Sequence, residues 1–165
     1  NQWNYYLDYG LESQNIWQRA YVSLLGLLPS ASPEVIYLQT SFDDGGETLS
    51  GNCSYTLTGE VPDARYWSYA IYGNDNYYLK DPNSLFDEPT FQDLFAQVTN
   101  GTELTSKIGE NYVIKIGNNL INQNGTLSHF GNDFTLIYRI YGPKLNYYEN
   151  PISIPVASII NQGCK

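Results

Sequence analysis

The chain opens on strict alternation, with Trp3, Tyr5, Leu7 and Tyr9 on one side of an extended segment and Asn4, Tyr6 and Asp8 on the other. Successive side chains of a strand point to opposite faces, so the spacing predicts a β-strand within the first ten residues. A helical pattern follows it. From Leu11 to Leu28 Ile16, Ala20, Leu24 and Leu28 form one row, Trp17, Tyr21 and Leu25 lie beside it, and Pro29 ends the run. So wide an apolar face is expected to pack on a sheet. A strand with no partner next to it in sequence must join a distant sheet edge, in its own subunit or in another. The chain is thus read as an arm, residues 1–10, and a single domain, residues 11–165.

Beyond Pro33 the pattern predicts short strands over Glu34–Ser41, Asn52–Thr58, Arg65–Tyr72, Asn111–Ile116, Asp133–Tyr141 and Ile152–Ile160. Turn-forming stretches such as DDGGE at Asp43–Glu47 and NQNG at Asn122–Gly125 separate them. A short inserted helix is expected over Pro89–Val98, capped by Asp87, with Phe91, Leu94, Phe95 and Val98 at helical intervals. Short, numerous strands predict a mainly β fold: an antiparallel two-layer β-sandwich, jelly-roll-like, with an N-terminal helix and an inserted one. The stretch RYWSYAIY, Arg65–Tyr72, sets Trp67, Tyr69 and Ile71 on one face and Tyr66, Ser68, Ala70 and Tyr72 on the other. The first face is expected in the core. Tyrosines of the second, with Tyr77, Tyr78, Tyr147 and Tyr148, are candidates for stacking on sugars or filling a subunit contact.

Composition narrows the partners. The 165 residues suit one domain, and 8 Lys plus Arg against 17 Asp plus Glu give a formal charge of -9. That charge repels phosphate backbones and anionic lipid, which argues against nucleic acid as a partner. No apolar run reaches the roughly 18 residues of a membrane span. The chain starts at Asn1 and has no Met, which reads as a processed or excised product and leads us to expect an exported, extracellular protein. In that compartment Cys53 and Cys164 are expected to pair, closing a long loop for about 4 to 5 kcal/mol. Asn52, Asn100 and Asn124 head the triplets Asn-Cys-Ser, Asn-Gly-Thr and Asn-Gly-Thr, acceptor patterns for N-glycans. With 17 Asn and 23 Ser plus Thr, about two such triplets arise by chance, so the pattern alone does not decide between glycans and plain turns.

Chemistry is sparse. The single histidine, His129, stands beside Ser128 in a Gly- and Asn-rich turn, and neither a triad nor a zinc or haem site can be assembled around it. Nothing selects a carboxylate pair for glycoside hydrolysis from the 17 acids. Asp43, Asp44 and Glu47 offer oxygens to calcium, but without the alternating ligands of an EF-hand loop they read as a hairpin turn. No catalytic residue, metal ligand or cofactor is therefore expected.

Four segments carry a resemblance: WQRAYVSLLGL at Trp17–Leu27, FDDGGETLSGNCSYTLT at Phe42–Thr58, PDARYWSYAIYG at Pro62–Gly73 and FTLIYRIYGPK at Phe134–Lys144. In order and spacing they resemble the family of domains of unknown function numbered 1214. The likeness lies in a leading helix, a D-x-x-G-x-x-L-x-G…Y-x-L hairpin, a P-x-x-x-F-W-S-x-x-x-Y strand with Tyr66 in place of Phe, and a closing R-x-Y-x-P-K strand. The resemblance implies a β-sandwich with an attached helix and no particular reaction. That family often follows a partner domain numbered 1254, which these residues do not include, and the stretch Phe86–Asn124 does not align.

The reading that follows is a non-enzymatic structural subunit of an extracellular, N-glycosylated assembly, a filament or surface layer, built from copies of this chain. Strand addition through Trp3, Tyr5, Leu7 and Tyr9 would hold it together. The alternatives are a monomeric carbohydrate-binding or adhesive module that uses Tyr and Trp stacking, and an unrecognised hydrolase.

Overall fold

A computed structural model describes residues 2–7, 11, 14–24, 33–73, 98–100, 107–117, 126–128 and 133–164. In chain order the elements are β1 (Asn4–Tyr6), α1 (Ile16–Leu24), β2 (Val35–Thr40), β3 (Cys53–Glu60), β4 (Ala64–Gly73) and β5 (Val98–Asn100). They continue with β6 (Asn111–Gly117), β7 (Thr126–Ser128), β8 (Phe134–Pro143), α2 (Asn146–Glu149), a 3₁₀ turn at Pro151–Ser153 and β9 (Ser158–Cys164). Two sheets form, one in the order β1-β2-β8-β4-β5 and one in the order β7-β6-β3-β9. Every pairing is antiparallel except β6 with β7, which is parallel.

Alternation builds the core. Ile36 and Leu38 of β2, Trp67, Tyr69 and Ile71 of β4, and Leu136, Tyr138 and Ile140 of β8 face Tyr55, Leu57, Tyr112, Ile114, Ile116 and Ile159 of the second sheet. The two inner faces interdigitate as in a sandwich. The sheets are joined by more than apolar contact, because the Tyr69 and Tyr112 hydroxyls hydrogen-bond across the gap at 2.7 Å while Trp67 stacks on Tyr112 at 4.6 Å. Tyr69 and Tyr138 stack almost parallel, 4.3 Å apart. Gly59 makes room for this clamp, since a Cβ there would lie 2.3 Å from the Tyr112 hydroxyl.

Four expectations need correction. The outer face of the first sheet is also buried: Val35, Tyr37, Ala70, Tyr72 and Ile137 form a second apolar cluster. Period-two spacing fixes which residues share a face but not whether the second face is wet. The helix starts at Ile16 rather than Leu11, because Asn15 and Gln18 bond reciprocally, each side chain accepting from the other's backbone N–H. That capping box sets the start locally, and Ile16 and Trp17 are 76% and 81% exposed instead of packed on a sheet. Val98 opens a strand instead of closing a helix; the expected helix otherwise lies outside the described residues. Finally, β9 begins at Ser158, since Pro151 and Pro155 cannot donate to a ladder and the segment before it folds as α2 and the 3₁₀ turn.

Candidate interaction site

The N-terminal arm is a short strand with one large anchor. Asn4, Tyr5 and Tyr6 pair with Gln39, Leu38 and Tyr37 of β2 in the same subunit. That register sends Trp3, Tyr5 and Leu7 toward the core and Tyr6 toward the outer cluster. Trp3 is buried to 7% exposure, its Nε1 donates to the Ala157 carbonyl at 3.2 Å, and its ring lies 6.1 Å from Tyr69 and 6.3 Å from Tyr138. Tyr9 lies outside the described residues. A ring of this size removes roughly 150–250 Å² from water, far more than the three ladder pairs beside it would offer alone.

The DDGGE stretch forms the wall beside the anchor. Asp43 is buried, and its Oδ1 accepts from the backbone N–H groups of Gly45 at 2.9 Å and Glu47 at 3.0 Å. Its carboxylate is thus engaged within its own turn. Gly46 adopts φ 87°, which a side chain would resist, and an added Cβ would meet Gln2 Nε2 at 3.1 Å. The Asp44 N–H donates to the Ile159 carbonyl, and the Ser158 hydroxyl donates to the Asp44 carboxylate, so the turn bridges to β9. A 230 Å³ pocket opens where arm, turn and β9 meet, lined by Gln2, Trp3, Thr40, Phe42, Asp44 and Ile159 among others.

Burial governs the electrostatics here. It pushes the Tyr69 and Tyr138 hydroxyls well up and that of Tyr112 up too, against the lowering effect of its hydrogen bond to Tyr69. Tyr5 is raised by the same cause. These hydroxyls stay protonated across the physiological range, and those of Tyr69 and Tyr112 act as a fixed donor–acceptor pair. Among the described residues no three His, Cys, Asp or Glu side chains group to hold a metal ion.

The other candidates lie apart. Cys53 and Cys164 are joined, as register partners at the end of the β3–β9 pair. Asn52 is exposed in the turn just before β3, Asn100 pairs with Ser68 at the end of β5, and Asn124 and His129 lie outside the described residues. Of the tyrosines expected to face outward, Tyr72 and Tyr147 are buried, Tyr148 is half-buried, and Tyr66 is 37% exposed with its ring 5.4 Å from Tyr141. Tyr77 and Tyr78 lie outside the described residues. The inter-sheet tyrosine clamp went unseen in the sequence; a glycine opposite a tyrosine on paired strands, Gly59 and Tyr112, was its only local sign.

Residues 34–145, a span from just before β2 to just after β8, match the family described as "Protein of unknown function (DUF1214)". The chain belongs to the DUF1214 family. Three of the four segments quoted above fall inside that span, while the arm, α1 and β9 fall outside it. The solved VPA0106 protein from Vibrio parahaemolyticus matches 87% of the DUF1214 chain with a TM-score of 0.63 at 21% identity, and the match takes in 35% of that protein. An uncharacterised protein from Burkholderia cenocepacia matches 79% with a TM-score of 0.51 at 11% identity, taking in 31% of its own length. The DUF1214 chain thus spans about a third of each, and at such identities the likeness is one of fold. No functionally curated protein matches the chain.

Proposed function

We propose that the protein is a non-enzymatic structural subunit of an extracellular, N-glycosylated assembly, in which the arm of one copy completes the sheet edge of the next. The carrying observation is how the arm is held: one buried ring and three ladder pairs secure a terminal segment whose groove would accept the same segment from a neighbour equally well. Exchange of an identical element between copies costs little, because every native contact is re-formed. The Cys53–Cys164 disulfide supports the extracellular placement. Described helices include none long and apolar enough to cross a membrane.

The second reading, a carbohydrate-binding module, draws its support from the exposed Tyr66 ring beside Tyr141. Native material examined by size exclusion and electron microscopy should show polymers under the first reading and a particle near 18.7 kDa plus glycans under the second. Deleting residues 1–9 should abolish polymers, and a synthetic peptide of those residues should bind the truncated subunit. Polymers that persist without the arm would rule out strand addition.

A further inference from the structure

The sequon at Asn52 shares its middle residue with the disulfide. Asn52 lies in a turn closed by the Cys53 N–H donating to the Ser50 carbonyl at 3.0 Å; Asn52 and Ser54 are exposed, and Cys53 between them is buried. A glycan on Asn52 would therefore project into solvent without displacing any core side chain. Once folded, however, this triplet is a poor acceptor. Cys53 and Ser54 are fixed against Cys164 and Gly163 on β9 and Cys53 is covalently tied there, so the triplet cannot take up the free, extended shape in which a transferase reads it. Acceptance has to precede closure.

The placement of the second cysteine sets the time available. Cys164 follows Cys53 by 111 residues. At the usual 5–20 residues per second of synthesis it emerges about 6 to 22 s later. For that interval Cys164 is not yet available to Cys53 and the triplet remains mobile. We infer that Asn52 is an N-glycosylation site filled during synthesis, before the Cys53–Cys164 bond closes, and that the late position of Cys164 is what leaves it open. This rests on the extracellular, glycosylated reading proposed above and assigns one site and an order of events within it.

The chemistry balances with two co-reactants of the secretory route. In the first step the Asn52 amide nitrogen attacks the anomeric carbon of a lipid-pyrophosphate-linked oligosaccharide; the N–C bond forms, the C–O bond to pyrophosphate breaks, and the lipid pyrophosphate leaves with the electron pair as the amide gives up a proton. In the second the Cys53 and Cys164 thiols lose two protons and two electrons to the disulfide of an oxidoreductase, which becomes a dithiol.

The test is peptide mapping of the full chain, secreted from a eukaryotic host, after enzymatic glycan release in heavy-oxygen water. Release turns a glycosylated Asn52 into a mass-tagged Asp. The expected result is a tagged peptide in the wild type, its loss in Asn52→Gln, and unchanged occupancy in Cys164→Ser, where closure never happens. If Cys164→Ser is retained in the cell, the retained pool is mapped, and wild type labelled under a reductant pulse gives the same comparison. An unoccupied Asn52 in both forms would overturn the site, and occupancy that rises when Cys53 is left unpaired would overturn the order. Size exclusion of the same samples separates the two proposals: polymers with an empty Asn52 count against this inference alone, and occupied monomers count against the assembly alone.

Discussion

The two ends of the chain both finish as edge strands, and they are secured in opposite ways. At the amino end, β1 offers three ladder pairs to β2 and relies on the Trp3 ring sunk between the sheets. At the carboxyl end, β9 makes six pairs with β3, is irregular between Ser54 and Tyr55, and is locked at its last step by Cys53–Cys164. Bulged, covalently closed edges resist further pairing. Under the proposed assembly, the contrast separates the edge that would be exchanged from the one that would stay at home. Both lie outside residues 34–145, the span that the family model matches.

The largest effect should come from opening the covalent end. Reduction, or Cys164→Ser, should lower stability by about 4 to 5 kcal/mol by loop entropy, read as a shift in urea midpoint, while Trp3 fluorescence still reports a buried ring in the folded state. A Trp3 that becomes exposed on reduction would erase the distinction between the ends. Next, Trp3→Ala should cost about 3 to 5 kcal/mol and abolish self-association in size exclusion. A loss below about 1 kcal/mol would show that the ring is not the anchor.

A smaller effect tests what both ends lean on. The Tyr69, Tyr112 and Tyr138 hydroxyls have folded-state pKa values raised above their unfolded value near 10. Their contribution is complete below about pH 10; above it the unfolded chain ionises first, and stability should fall by up to about 1.4 kcal/mol per pH unit for each tyrosine. Urea midpoints between pH 9 and 11.5 measure this, and Tyr138→Phe should flatten the slope; a slope unchanged in that variant would remove Tyr138 from the effect. Smallest of all, Trp17→Ala should move stability by no more than about 0.5 kcal/mol, because the ring is exposed. A larger loss in thermal denaturation would mean that α1 is buried against the sandwich after all.

How much of this was legible depended on whether the cause was local. Alternation sorted Trp3-Tyr5-Leu7 onto one face and Trp67-Tyr69-Ile71 onto the face expected in the core, because pleating is a property of the strand itself. The pairing of Cys53 with Cys164 followed from there being two cysteines. Burial of Ser68, Ala70 and Tyr72 on the other face was not legible, since it depends on what covers that face. Ile152, Ile154 and Val156 mimic a strand, yet Ile152 is 88% exposed and only Ile154 of the three is buried, because the two prolines keep the segment out of the ladder. For the interaction site, the sequence indicated an arm in need of an edge but not the groove, which is assembled from β2, β4, β8 and the segment around Ala157.

The covalent tie has a mechanical consequence. Tension arriving at the carboxyl end passes through sulfur to β3, an interior strand of its sheet, so the 111-residue span between the cysteines cannot be reeled out, although fully drawn it would reach about 390 Å. Under the proposed assembly, a pull between the two ends of a subunit could lengthen only the part ahead of Cys53 and the contacts between subunits.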